Sequence, residues 1–175
     1  MRVRHRQAAF FALLTVGCGA AASQDSGADA GPPEFVARGG DFASYRGWQS
    51  YLAGTQDIDS VHVAGQRTVY INRLPPHGSA TFPTGTLIVK EIDGGQTFAM
   101  AKRGGDFNSQ GALGWEWFEL TSTGGAPVIV WRGVAPSSGS MVGNTYNAGS
   151  TCNDCHQNAS ANDFVQAPPL QLSNF

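Results

Sequence analysis

Thr86-Leu87-Ile88-Val89-Lys90-Glu91-Ile92, then Asp93-Gly94-Gly95, then Thr97-Phe98-Ala99-Met100-Ala101-Lys102, is the stretch on which the fold turns. Both outer runs are rich in β-branched or aromatic residues, which suit strands, and Asp-Gly-Gly between them is turn chemistry. A connection this short joins antiparallel strands, because parallel pairing needs a long crossover. Along the first run, alternation puts Lys90 on the face shared by Thr86, Ile88 and Ile92, so its stem runs over a largely apolar surface. Lys90 and Lys102 are the only lysines of the chain, against nine arginines.

Working outward, residues 60–63, 67–72, 115–120 and 128–131 are further strand-like runs. They are punctuated by Leu74-Pro75-Pro76-His77-Gly78, Phe82-Pro83-Thr84-Gly85 and Gly124-Gly125. Ahead of them, Asp41 is placed to cap a helix carrying Phe42, Tyr45, Trp48 and Leu52 on one face, with Gly54 as its stop. A short helix is expected from Asn153, followed by an extended tail with Pro168-Pro169. The expected fold class is therefore α+β: a small, mostly antiparallel sheet with flanking helices. Trp115, Trp117, Phe118 and Trp131 are its natural core and pocket residues.

The first residues are of a different kind. Arg2, Arg4 and Arg6 precede the apolar run Ala8-Ala9-Phe10-Phe11-Ala12-Leu13-Leu14-Thr15-Val16, which is far shorter than the ~20 residues needed to span a bilayer. This is the pattern of an export signal. Gly17-Cys18 directly after it resembles a bacterial lipoprotein cleavage site, with residues 1–18 as leader and Cys18 lipidated. The alternative is ordinary cleavage nearby, after Ala22. Residues 19–34 are mainly Ala, Gly, Ser, Asp and Pro with no large apolar side chain, so they read as a flexible tether to a single domain over 35–175. The expected location is exported and periplasm-facing, at the outer membrane, with membrane contact through the lipid alone. Loss of the three leader arginines takes the basic count from 11 to 8 against 13 acidic residues, a formal −5, and no basic run survives. Nucleic acid is excluded as a partner on that ground.

Cys152-Asn153-Asp154-Cys155-His156 carries the chemistry. Cys-x-x-Cys-His is the attachment signature of a c-type haem: two thiols form thioethers to the two vinyl groups, and the next residue is brought under the ring to bind iron. The cofactor expected is one covalent haem c, held by Cys152 and Cys155 with His156 as the axial iron ligand. A zinc site using these three residues with His62 or His77 is the competing reading, though the chain lacks the second Cys/His pair such sites usually show. With Cys18 assigned to lipid, no cysteine is left for a disulfide.

Phe82-Pro83-Thr84-Gly85-Thr86-Leu87-Ile88-Val89-Lys90-Glu91-Ile92 resembles the core motif of the cytochrome P-460 family. So do Tyr45-Arg46-Gly47-Trp48, Val69-Tyr70-Ile71-Asn72, Gly114-Trp115-Glu116-Trp117, and the haem motif followed by Asp163-Phe164-Val165. The resemblance covers about residues 40–167, in order. It implies a β-rich monohaem protein, often a homodimer, with His on one side of the iron and the other side open. In catalytic members a lysine is bonded to the haem edge, and Lys90 occupies the matching position. Read from the residues alone, Lys90 is either a desolvated, nucleophilic amine or a lysine whose stem covers the sheet and whose head reaches water.

In one respect the chain departs from the family. Members that oxidise hydroxylamine carry a distal carboxylate shortly before the haem motif, to take protons. Residues 133–151 contain no Asp or Glu, and Asn144, Tyr146 and Asn147 are their longest polar side chains. Glu116 or Glu119 are the substitutes to consider. His62, His77, Met100 and Met141 are candidate sixth ligands to iron. Three functions are thus open. One is an oxidoreductase acting on hydroxylamine or nitric oxide that passes electrons to periplasmic electron-transfer proteins. Another is a non-enzymatic nitric oxide or carbon monoxide binder similar to the β-type cytochromes c′. The third is a simple electron carrier.

Overall fold

The computed structural model describes residues 34–57, 62–93, 95–121, 125–134 and 152–175. The expected leader with Cys18, and the tether as far as residue 33, lie outside the described residues, while Glu34 at its end pairs with Arg103 at 2.7 Å.

Six strands follow one another: β1 (Gln49–Gln56), β2 (Gly65–Ile71), β3 (Leu87–Ile92), β4 (Gln96–Lys102), β5 (Trp115–Thr121) and β6 (Val128–Gly133). They form one sheet in sequence order, and every neighbouring pair is antiparallel. The α+β class and the meander expected from short, Gly- and Pro-punctuated connections are what the chain adopts. The opening stretch is the central β3–β4 hairpin, with Ile92 opposite Gln96 and Lys90 opposite Phe98.

The sheet separates two cores because side chains alternate along each strand. Val69, Ile71, Ile88, Met100, Trp115 and Trp117 share one face, where Phe82, Ala112, Val165, Leu170 and Leu172 complete a buried cluster. Leu87, Val89, Ala99, Ala101, Phe118 and Leu120 share the other, covered by Ala37, Phe42 and Tyr45 from the segment before β1. The C-terminal segment thus packs on one face and the N-terminal segment on the other. Among the described residues no helix is long and apolar enough to cross a membrane.

Three expectations fail locally. The helix from Asp41 to Gly54 is instead two 3-10 turns, Gly39–Phe42 and Tyr45–Gly47, running into β1. Phe42, Tyr45 and Trp48 recur every third residue, which is the period of a 3-10 turn, and all three pack in the second core. Asp41 does stabilise a turn start, accepting from the Arg38 amide at 2.7 Å, but from inside the turn. Leu52, the position that argued for helix, is 65% exposed. Gly54 marks a β-bulge in β1 at φ 88°, and pairing with β2 overrides the helical period. The strand expected at 60–63 does not form at His62 and Val63, the two of its residues that are described. The Pro168-Pro169 tail is not extended. It makes the 3-10 turns Pro168–Leu170 and Leu172–Asn174, which turn Leu170 and Leu172 into the first core.

Candidate functional site

The first face of the sheet and the C-terminal segment enclose a cleft of about 1080 Å³, counting its open mouth. One cross-sheet row explains its floor. Tyr51 pairs with Val69, Val69 with Lys90, Lys90 with Phe98, Phe98 with Glu119, and Glu119 with Trp131, so all six residues share a face. Val69, Lys90, Phe98 and Trp131 line the cleft, as do Ile88 and Met100 from the adjoining row.

From the other side, helix α1 (Cys152–His156) brings Cys152, Cys155 and His156 to the same cleft. Lys90, Cys152, Cys155 and His156, singled out in sequence and 66 positions apart at the extremes, are gathered in one place. Asn153 pins this helix. Its Oδ1 accepts from Trp117 Nε1 at 2.9 Å, Asn108 Nδ2 at 2.8 Å and the Ala112 amide at 3.3 Å, and its amide group donates to Asn108 Oδ1 at 3.0 Å. A variable position between two cysteines gave no sequence signal for this role.

His156 is held in a defined tautomer. Its Nδ1 lies 2.6 Å from the Phe164 carbonyl, which can only accept, so Nδ1 carries the proton and Nε2 keeps its lone pair. Its ring packs 4.3 Å from that of Trp117. Burial lowers the imidazole pKa to about 4, with the carbonyl acting against that and Lys90 adding to it, so the ring is neutral at pH 7. Burial likewise pushes the Cys152 thiol up to about 12, and the Lys90 charge opposes it. Cys155 is exposed.

The Phe164 carbonyl reaches His156 because the chain reverses just before it. Asp163 and Phe164 are both left-handed, at φ 49° and 66°, a conformation that costs roughly 1–2 kcal/mol per L-residue. Asp163 is buried and fastened at three points. Oδ1 takes a 2.6 Å ion pair from Lys102, Oδ2 accepts from the Phe82 amide at 2.8 Å, and its carbonyl accepts from Trp115 Nε1 at 2.7 Å.

Lys90 is half-buried, with Nζ 2.7 Å from His62 Nε2 and 5.6 Å from the Phe98 ring centre. Of the candidate sixth ligands, His62 and Met100 line the cleft, His77 is exposed and apart from it, and Met141 lies outside the described residues. So do Asn144, Tyr146 and Asn147. The two candidate carboxylates separate. Glu116 faces away, clasped by Arg132 through two 2.7 Å contacts. Glu119 is on the cleft face, buried between Phe98 and Trp131. Buried Arg67 also lines the cleft and was not anticipated; alternation from Val69 was the available signal. Among the described residues no three His, Cys, Asp or Glu side chains converge as metal ligands, so the zinc alternative has no preformed site there.

No protein-family model, curated protein or solved structure matches the chain.

Proposed function

We propose that the chain is an exported, monohaem c-type cytochrome of the cytochrome P-460 kind. One haem c is held by thioethers to Cys152 and Cys155, with His156 Nε2 on the iron. The carrying observation is the fixed tautomer of His156. Its Nδ1 proton is committed to the Phe164 carbonyl, which leaves the Nε2 lone pair for a metal, beside both cysteines of the signature and in an apolar cleft. An axial histidine whose second nitrogen donates to a carbonyl is the arrangement expected of a haem or metal ligand.

When bound, the haem would supply redox-active iron chemistry, and the family resemblance implies that one side of that iron would be open. The chain's residues do the rest. Trp117 and the helix anchored by Asn153 set the imidazole's orientation, and Val69, Ile88, Phe98 and Met100 give the cleft an apolar wall. Lys90 presents its amine toward the same space, where the family resemblance gives it a bond to the haem edge. The reaction proposed is oxidation of hydroxylamine or reaction with nitric oxide, with electrons leaving to another periplasmic protein. Lipid on Cys18 would anchor the protein at the outer membrane, and a homodimer fits the same resemblance.

A second reading has its own support. Among the described residues that line the cleft none is Asp or Glu. Without a carboxylate at the open position, the protein would capture nitric oxide or carbon monoxide without turnover.

A haem-stained denaturing gel tests the core of the proposal: the mature protein should stain, and Cys152→Ala with Cys155→Ala should abolish the band. A mature protein carrying zinc and no haem overturns it. Lys90 divides the two readings. A cross-link should move the main reduced absorption band strongly to the red, and a digest should join the Cys152–His156 segment to β3. Lys90→Arg, which cannot form the bond, should restore an ordinary c-type spectrum. A wild-type spectrum that is already ordinary favours gas binding.

A further inference from the structure

The sequence motif Asp163-Phe164-Val165 has a use that haem attachment by itself leaves unexplained. Asp163 has no place in the cleft lining, yet its carboxylate is among the most completely tied groups of the molecule. Its partner Lys102 is also buried, with Nζ donating to the Leu113 carbonyl at 3.0 Å and lying 5.0 Å above the Trp115 ring. These anchors come from the end of β4, the start of β5, the loop between them and the β2–β3 connection. What they hold is a two-residue left-handed corner whose second residue bonds its amide to the Ala159 carbonyl at 2.8 Å and turns its own carbonyl to within 2.6 Å of His156 Nδ1. A corner that L-residues disfavour persists only where its surroundings impose it. Here the surroundings are the ion pair, the Phe82 amide and the Trp115 indole, added to local backbone bonds from the Asp163, Phe164 and Val165 amides.

We propose that the buried Lys102–Asp163 pair is a positioning device for the axial histidine: it fixes the corner that presses the Phe164 carbonyl onto His156 Nδ1, and so sets how strongly the imidazole donates to the iron. This rests on the haem reading above. A short bond at Nδ1–H makes Nε2 a stronger donor, which favours ferric over ferrous iron and lowers the reduction potential. Lys102 and Asp163 are positioning residues, since neither reaches the cleft chemistry itself. Val165, next in the motif, closes the device by packing in the first core.

The test uses the full-length, haem-loaded protein. In the ferrous wild type, resonance Raman should place the iron–histidine stretch above that of a haem bound by an imidazole without a hydrogen-bond acceptor. Asp163→Asn keeps the side chain's shape and an acceptor for the Phe82 amide but removes the charge, leaving Lys102 buried and unpaired. Because that variant alone risks misfolding, Lys102→Met/Asp163→Asn removes both charges together. In each, the stretch should fall in frequency and the midpoint potential should move positive. Glu91→Gln, on the opposite face, serves as a control that lowers stability without moving either quantity. Variants that retain haem and melt lower, but keep the wild-type stretch and potential, overturn the proposal. So does a wild-type stretch already at the unbonded value. A wild-type protein with no haem overturns the functional reading beneath it, which the stained gel separates from the other outcomes.

Discussion

At the scale of single residues, the clearest polar knot lies on the face away from the cleft. Glu91 accepts from Tyr45 Oη, from Tyr70 Oη at 2.9 Å and from Arg46 at 2.5 Å. Burial alone would raise the Glu91 carboxyl, but hydrogen bonds from Tyr45, Tyr70 and Arg46 outweigh it and hold its pKa below the ordinary value. Tyr45 moves the other way, raised by burial first and then by its bond to Glu91. The signs give two edges. Glu91's contribution is whole above about pH 4.3, the unfolded carboxyl value, and fades as pH falls through its lower folded value. Tyr45's is whole below about pH 10 and fades as the solution becomes more alkaline. Urea midpoints should therefore be level from about pH 6.5, below which unfolded His156 takes a proton that the buried ring does not, up to the alkaline limit, with Glu91 steepening the fall at the acid end. Glu91→Gln should cost about 1–3 kcal/mol at pH 7, because its two tyrosine partners lose a charged acceptor. The Arg46 part of that is small, since Arg46 is largely exposed. A Glu91→Gln variant with the wild-type acid limb would disprove the assignment.

At the scale of elements, the central hairpins set the cleft's floor, and their ends are tightly closed. Gly65 opens β2 at φ 152°, and a Cβ there would sit 2.7 Å from the Asp93 carbonyl oxygen and 3.2 Å from Ile92 Cγ2. Both neighbours are fixed, the first by the Asp93 amide's 3.0 Å bond to the Gln66 carbonyl and the second by burial. Gly65→Ala should cost about 1–3 kcal/mol, seen as a lower denaturation midpoint. An unchanged midpoint would show that this end of the β2–β3 pair yields freely. The 3-10 turns before β1 teach the complementary lesson. Apolar residues at 42, 45 and 48 fit a helix and a 3-10 turn equally well, and only pairing with β2 distinguishes them.

At the scale of the whole molecule, the cleft depends on a C-terminal segment that wraps back over the sheet. Asn162 organises it, donating to the Val165 and Leu170 carbonyls at 2.7 and 3.1 Å and accepting from the Leu172 amide at 2.7 Å. The last residue closes the wrap, its carbonyl accepting from the Gly78 amide at 3.0 Å. Deleting residues 168–175 removes two buried leucines, worth roughly 3–6 kcal/mol together, and opens the first core to water. Since a domain of this size has only about 5–15 kcal/mol to lose, the truncated chain should be close to unfolding at 37 °C, with its urea midpoint sharply lowered. A truncated chain of wild-type stability would show the wrap to be dispensable.

What the sequence determined by itself is local. Strand-forming runs separated by Gly and Pro turns leave no room for crossovers, so the antiparallel meander follows from spacing. Of the strands that form, β2 to β6 begin and end within two residues of the expected bounds, whereas β1 stands where a helix was expected. The cysteine–histidine signature is legible for the same reason, because its chemistry is fixed within five residues. What only the tertiary structure decided is long-range. Which face of the sheet the signature packs on, and hence that Lys90 and Glu119 face it while Glu116 turns away, depends on register summed over six strands. A shift of one residue would exchange those faces. The partners of Asn153, Asp163 and Lys102 lie up to 81 positions away along the chain. No local pattern encodes such a pairing, because it exists only once two separately formed elements exclude water between them.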